Sequence, residues 1–444
     1  MTMDKVPGTR RLLTTAVCAL LAAASVVVAV GSSGVAGASP VRPADLTASP
    51  TTLAFGATTL GTYSGPKTFT LTNTSSSTDS INGQTGFTFS GVGNDDYEVE
   101  WDSSCQGSAT TLVLAPSASC QLYVFFFPGA LGSRPATISI QGTADARPVN
   151  IQVTGTGSIG YYQVDQYGDV ATAGDAQFYG DLNGHPLNEP IVAVTPTGDN
   201  GGYWLVASDG GIFAFGDAQF YGSTGGMHLN QPIVGTARTP DGKGYWLVAS
   251  DGGIFTFGDA SFYGSTGGFH LNKPIVGMAT TPDGKGYWLV ASDGGIFSFG
   301  DAHFYGSTGG SHINQPIVGM SSTPDGGGYW LVASDGGIFS FGDASFHGST
   351  GAIHLNKPII AMAAMPDGGG YWFSAIDGGL FAFGTAPFYG SGVGIGLGPV
   401  VDMATDGGPT VQAEVDAPAL RHADAAQRGR NGSLHLPRMV RPNR

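Results

Sequence analysis

The chain runs to 444 residues with 73 glycines, 11% aromatic and 11% charged side chains, and a formal net charge of −15 at pH 7. That length holds two or three domains; so aromatic and patterned a sequence is not a disordered chain, and one so rich in turn formers is not a helical one. The acidic balance argues against nucleic acid as a partner, because phosphate backbones are bound by basic surfaces.

Residues 1–38 read as an export signal. Lys5, Arg10 and Arg11 form a basic start, Leu12 to Val30 is an apolar run, and Ala36-Gly37-Ala38 offers a small-residue cleavage site. The run is also as long as a short membrane-spanning helix, so an uncleaved anchor is the competing reading. Gly and Ser crowd the end of the run, which favours cleavage. Cys18 lies inside the run rather than after it, which argues against a lipoprotein attachment site. No later segment is apolar enough to span a bilayer. Cleavage removes three basic residues and one acidic residue, taking the net charge from −15 to about −17. That suits a protein secreted or associated with the cell envelope. Residues 39–50 follow as a Pro-rich linker.

From 51 to 157 the text alternates apolar and polar residues between turns, as in Thr68–Thr72, Thr110–Leu114, Gln121–Phe127, Thr137–Ile140 and Asn150–Thr154. Short strands at this spacing predict an immunoglobulin-like β-sandwich. Leu53-Ala54-Phe55-Gly56, Leu71-Thr72-Asn73-Thr74, Leu114-Ala115-Pro116-Ser117-Ala118-Ser119-Cys120 and Val153-Thr154-Gly155-Thr156-Gly157 resemble the ASH-domain family. Bacterial relatives of that family occur in exported choice-of-anchor D proteins. The resemblance implies an interaction or spacer module, with no catalytic residues to carry over. Cys105 and Cys120, the two cysteines left after cleavage, are expected to form a disulfide bond suited to an oxidising compartment. The loop they close is worth roughly 3 kcal/mol by chain entropy. Their spacing matches no C-x-x-C metal or redox pattern.

Beyond 157 tryptophan recurs every 42 residues, at Trp204, Trp246, Trp288, Trp330 and Trp372. Six copies start near 161, 203, 245, 287, 329 and 371; the first is worn but keeps Gly174-Asp175-Ala176-Gln177-Phe178-Tyr179-Gly180. A fixed period means equivalent supersecondary units packed side by side. Four short strands are expected per copy, for example Pro232–Ala237, Tyr245–Ala249, Ile254–Phe257 and an outermost Ser261–Gly264. Turns at Pro240-Asp241-Gly242 and Asp251-Gly252-Gly253 separate them, Gly supplying the positive φ. Four antiparallel strands describe one blade of a β-propeller. The first copy lacks its own first strand, and Pro399–Ala404 supplies one. The expected fold is therefore all-β: the sandwich, then a six-bladed propeller over 158–404 closed by the C-terminal strand, with no open edge. An open solenoid would need distinct capping copies, and copy six has no polar cap. The repeats resemble those of exported actinobacterial proteins of unassigned function, which implies fold and compartment only.

Trp204 and its equivalents, with the Phe213 and Phe215 set, are expected to fill the space between blades; a sugar-stacking platform is the sharper alternative for the tryptophans. The Asp of each Asp-Gly-Gly should form its turn rather than bind calcium. Asp217 and its equivalents should brace a turn, with Thr385 in their place in copy six. His228, His270, His312 and His354 also recur at the period. Groups spread around a circle cannot converge within the roughly 2.1 Å that a zinc ion requires, so each is expected to bond a backbone carbonyl in its Leu-Asn-Gln-Pro loop. The same geometry confines catalysis to groups unique to one copy. The candidates are Asp165, Tyr167 and Asp169 in copy one, His303 and His347. None sits in a nucleophile–base, zinc or phosphate-loop motif, so no catalytic residue, metal or cofactor is expected.

Within the near-verbatim text, Met227, Phe269, Ser311 and Ile353 vary at one position, and Gln231, Lys273, Gln315 and Lys357 alternate at another. These loop positions are the expected ligand contacts. After Ala404 the patterning stops, and 405–444 reads as a disordered basic tail, with six arginines against Asp424 in 417–444. The expected function is an exported, non-enzymatic binding or scaffold protein for a protein or cell-envelope glycan ligand. One alternative is a lectin with one glycan site per blade interface. The other is a polysaccharide hydrolase or lyase, which needs two copy-unique carboxylates about 5–10 Å apart.

Overall fold

The computed structural model describes residues 46–101, 105–108, 110–143 and 147–406. The expected export signal at 1–38, the linker as far as 45 and the tail from 407 lie outside the described residues. Among the described residues regular structure is entirely β, and no helix is long and apolar enough to cross a membrane.

At the N-terminal end, one sheet runs in the order Leu46–Ser49, Ser64–Asn73, Ser119–Phe126, Tyr97–Trp101. A second centres on Val149–Ser158, antiparallel to Ala136–Ile140 and parallel to Thr52–Thr59. Along most of these strands every second side chain is buried, among them Phe69 and Leu71, Leu122 and Val124, Ile138 and Ile140, Ile151 and Val153, while Tyr97–Trp101 is buried throughout. The two-residue period turns one face of each strand inward, and the inward faces share a single core. Cys105 and Cys120 are disulfide-bonded, with Cα atoms 5.3 Å apart. The linker reading fails at its end: Leu46–Ser49 is a strand paired with Thr70–Asn73, and Leu46 is buried. Pro50 had suggested a linker, but it follows the last paired residue, where a missing N–H breaks no ladder bond.

From 160 onward the chain repeats three-stranded antiparallel sheets, six in all. Their central strands are Gly160–Asp165, Gly202–Ala207, Gly244–Ala249, Gly286–Ala291, Gly328–Ala333 and Gly370–Ala375. Sheet 1 draws on both ends of the repeats, because Val400–Thr405 pairs with Gly160–Asp165, Tyr161 opposite Thr405. Each central strand is buried on both faces. Tyr203 and Leu205 meet Tyr162 and Ile191 on one side; Trp204 and Val206 meet Ile233, Tyr245 and Leu247 on the other. The pattern recurs from sheet to sheet. Trp372 of sheet 6 then packs on Tyr161 and Met403 of sheet 1 in a cluster that also takes in Leu60 of the N-terminal region.

The tryptophans are 0–2% exposed, so they are packing residues and the sugar-platform alternative is overturned. Each indole N–H donates to a carbonyl fifteen residues on, as Trp204 does to Gln219 at 2.8 Å.

The expected fourth strand is absent. Ser261–Gly264 is not in a strand. Instead the Tyr287 hydroxyl of the next sheet donates to Gly264 O at 2.6 Å and accepts from Tyr263 N at 3.1 Å, while the Tyr263 hydroxyl donates to Gly284 O at 3.1 Å. Backbone groups near the segment's end are thus satisfied by side chains of the following sheet, with no ladder required.

Candidate functional site

The loops carry the expected contact positions on the surface. Met227, Phe269 and Ile353 are 61%, 71% and 59% exposed, and Ser311, Gln231, Lys273, Gln315 and Lys357 are exposed too. One set of residues escaped the sequence reading. Phe178, Phe220, Phe262, Phe304, Phe346 and Phe388 recur at the repeat interval and are all 54–65% exposed. The first five precede a side chain that clasps the next sheet (Tyr263 in the third copy), and with that neighbour held inward the phenylalanine is left outside. A Phe-Tyr pair recurring where only one ring can face inward was the available signal.

Beside Phe220 lies a groove of about 410 Å³, lined by Asn188, Glu189, Asp209, Phe213, Ser223 and Gly225 among others. Glu189 holds the position of Gln231, Lys273, Gln315 and Lys357, so one expected set of contacts and the exposed rings border the same kind of groove. Asp209 forms its turn as expected, accepting from Gly211 N at 2.8 Å. Gly210 between them has φ +76°, and a Cβ there would lie 1.8 Å from Thr224 Oγ1; only glycine fits.

Of the copy-unique candidates, Asp165, Tyr167 and Asp169 share one turn of sheet 1, whereas His303 and His347 lie in other copies. Asp165 is fully buried and accepts from Tyr167 N, Asp169 N and Gly398 N at 2.9, 3.0 and 2.6 Å, which makes it a turn brace. Tyr167 is 57% exposed. Burial, then Asp165 and Asp181, raise the pKa of Asp169. His303 packs edge-on against Tyr305, and His347 replaces the clasping tyrosine, its Nε2 lying 3.0 Å from Gly368 O. Among the described residues His228, His270, His312 and His354 show no side-chain bond to a carbonyl, contrary to expectation; they are exposed.

The Asp217 set braces turns: Thr281 and Thr323 hydroxyls lie 3.0 and 3.1 Å from Asp301 and Asp343. In sheet 1 the threonine's place is taken by Asp406. Its Oδ1 accepts from Gly160 N at 2.6 Å. Burial, then the neighbouring Asp175, push its pKa up to about 8. Asp175 in turn accepts from the hydroxyls of Thr59, at 3.0 Å, and Ser158, where the N-terminal sheets meet the repeats.

A second cavity, of about 530 Å³, is lined by the first strands of sheets 2 to 6 and by Ala404 and Thr405 of sheet 1. Tyr63 and Phe127 of the N-terminal region complete its wall, their rings 4.6 Å apart. Met278, Met320 and Met362 contribute apolar surface; among the described residues Arg238 is the only basic one in the lining. Strand pairing sets Arg238 opposite Tyr245 as it sets Pro196, Thr280, Ser322, Ala364 and Thr405 opposite their own tyrosines. Nearby, Asp402 stands where the other first strands have Ala193, Gly235, Gly277, Gly319 and Ala361. It accepts from Val194 N at 3.0 Å, and burial raises its pKa to about 7. Lining up the copies would have exposed Arg238; Asp402 needed the strand register.

No family model matches the chain, and no curated protein matches it. Among solved structures, it is similar to a structural genomics protein of unknown function from Bacteroides thetaiotaomicron, at 11% identity and a TM-score of 0.42. That likeness covers 83% of this chain and 94% of the other. Nothing is carried over from it.

Proposed function

We propose that this is an exported, non-enzymatic binding or scaffold protein whose six sheets are the blades of a closed β-propeller. The propeller follows an immunoglobulin-like sandwich of the ASH type. Two contacts support closure: the pairing of Val400–Thr405 with Gly160–Asp165, and the packing of Trp372 on Tyr161. One observation carries the binding reading, the six exposed phenylalanines. Single exposed apolar side chains are common on protein surfaces, but equivalent rings at a fixed interval suit a ligand that itself repeats, such as an envelope polymer. Individually weak contacts then add through effective concentration. The groove beside Phe220 favours a glycan within that class: the ring offers a face to sugar C–H groups, and Asp209 and Glu189 offer acceptors to hydroxyls. The non-enzymatic reading draws support from Asp165, whose carboxylate is committed to backbone donors.

The test is sedimentation of the full chain with isolated cell-envelope material. Changing Phe220, Phe262, Phe304 and Phe346 together to Ser should weaken retention by about tenfold or more, while circular dichroism stays unchanged. Retention equal to that of the unmodified chain would end the proposal. A glycan array then separates a lectin from a protein-binding scaffold, since the lectin gives hits on related sugars.

A further inference from the structure

The cavity walled by the first strands and by Tyr63 and Phe127 has a chemistry the surface grooves lack. The first strands line it with residues that vary from copy to copy, small, hydroxyl-bearing or apolar in all but one case. At one place two departures coincide. Arg238 stands where the other first strands carry Pro196, Thr280, Ser322, Ala364 and Thr405. Across from it Gly198 stands where four other copies carry Pro240, Pro282, Pro324 and Pro366.

In the neighbouring sheets that proline lies against a turn glycine of the next copy: Cβ atoms placed at Gly284 and Gly326 would meet Pro240 and Pro282 at 2.6 and 2.7 Å. At Gly198 the ring is missing, and a Cβ there would lie 3.3 Å from Arg238 Nη1. The small residue makes room for the guanidinium.

That guanidinium is under-used. Its Nη1 donates to Thr239 O and Pro240 O, both at a long 3.3 Å, and no carboxylate among the described residues comes within 4.0 Å of it. Asp241, the acidic residue of the same lining, is held by Lys243 at 2.5 Å. Arg238 is surrounded by protein yet keeps part of its surface in the cavity. Burial lowers its pKa, and Asp199 partly opposes that; it stays charged regardless, since guanidinium does not lose its proton in proteins. A desolvated cation with spare donors in a fixed fork is a receptor for an oxyanion.

The rest of the wall narrows the class. Met278, Met320, Met362, Phe127 and Tyr63 are apolar and, for the methionines, adaptable. A single cation in an acidic chain matches one negative charge; a dianion would keep an unpaired charge in a desolvated space.

The geometry points to a binding site for a small amphiphilic monocarboxylate, its carboxylate on Arg238 and its apolar body against the methionines, Tyr63 and Phe127.

Titration calorimetry of the full chain with decanoate tests this. Saturable binding of one decanoate per chain is expected, weakened about tenfold or more in Arg238→Thr, the residue that Thr280 supplies in another copy. Gly198→Pro should weaken it too, by crowding the guanidinium. Decanol, with the same chain and no charge, should bind weakly and equally to the chain and to Arg238→Thr. Three results would overturn the proposal: no saturable binding at millimolar decanoate, equal affinity in Arg238→Thr, or inorganic phosphate binding as tightly as decanoate. The site is independent of the surface phenylalanines, so the Phe→Ser chain should bind decanoate unchanged.

Discussion

The N-terminal sheets bury one core from text that never recurs, whereas the repeats divide their burial among six clusters, each shared by two adjacent sheets. In the first region every buried residue is unique, so an unusual one cannot be told from its neighbours. In the second, five other copies say what packing alone requires, and a departure such as Arg238 stands out. The two regions should also fail differently, the repeats through nearest-neighbour contacts and the N-terminal sheets as one body.

The largest expected effect tests that difference. Trp288 is fully buried against Tyr329, with rings 5.8 Å apart, and Trp288→Ala should cost about 3–5 kcal/mol. Calorimetry should show the loss in the transition of the repeats. The counterpart is Cys105→Ser with Cys120→Ser, expected to cost about 3 kcal/mol and to lower the N-terminal transition. If either variant moved both transitions equally, the cluster around Leu60 and Ile159 would have joined the regions into one cooperative unit.

A smaller effect, set by pH, sharpens the comparison. Burial raises Asp402 to about 7 and, with Asp175 beside it, Asp406 to about 8 in the repeats; in the N-terminal sheets burial, then Glu98, raises Glu100 to about 7. An acid whose folded pKa is raised holds its proton in the folded state after the unfolded chain has released it. Its contribution is therefore full below about pH 4 and declines until pH passes the folded value, by up to about 1.4 kcal/mol per pH unit for each group. With two groups raised as far as 7 or beyond against one, the repeats should lose stability more steeply between pH 4 and 7. Asp402→Ala with Asp406→Thr, the residues of other copies, should flatten that slope in denaturant titrations; an unchanged slope would remove these carboxyls as its source.

Much of this was legible in the sequence and some was not. The period predicted equivalent sheets, and Trp204 to Trp372 behaved as packing residues. Phe220 and its equivalents were misjudged because strand propensity placed them in a fourth strand, whereas hydroxyls such as that of Tyr287 capture the following backbone first. Leu46–Ser49 was missed because proline content outweighed a short apolar pattern.

Periodicity determined by itself which residues are equivalent, since identical text in identical surroundings must fold alike. Only the tertiary structure decided what those residues face. That Arg238 lies beside Gly198, and that Asp402 accepts from Val194 N, depends on contacts between distant parts of the chain, and no local pattern encodes the direction in which a side chain meets them.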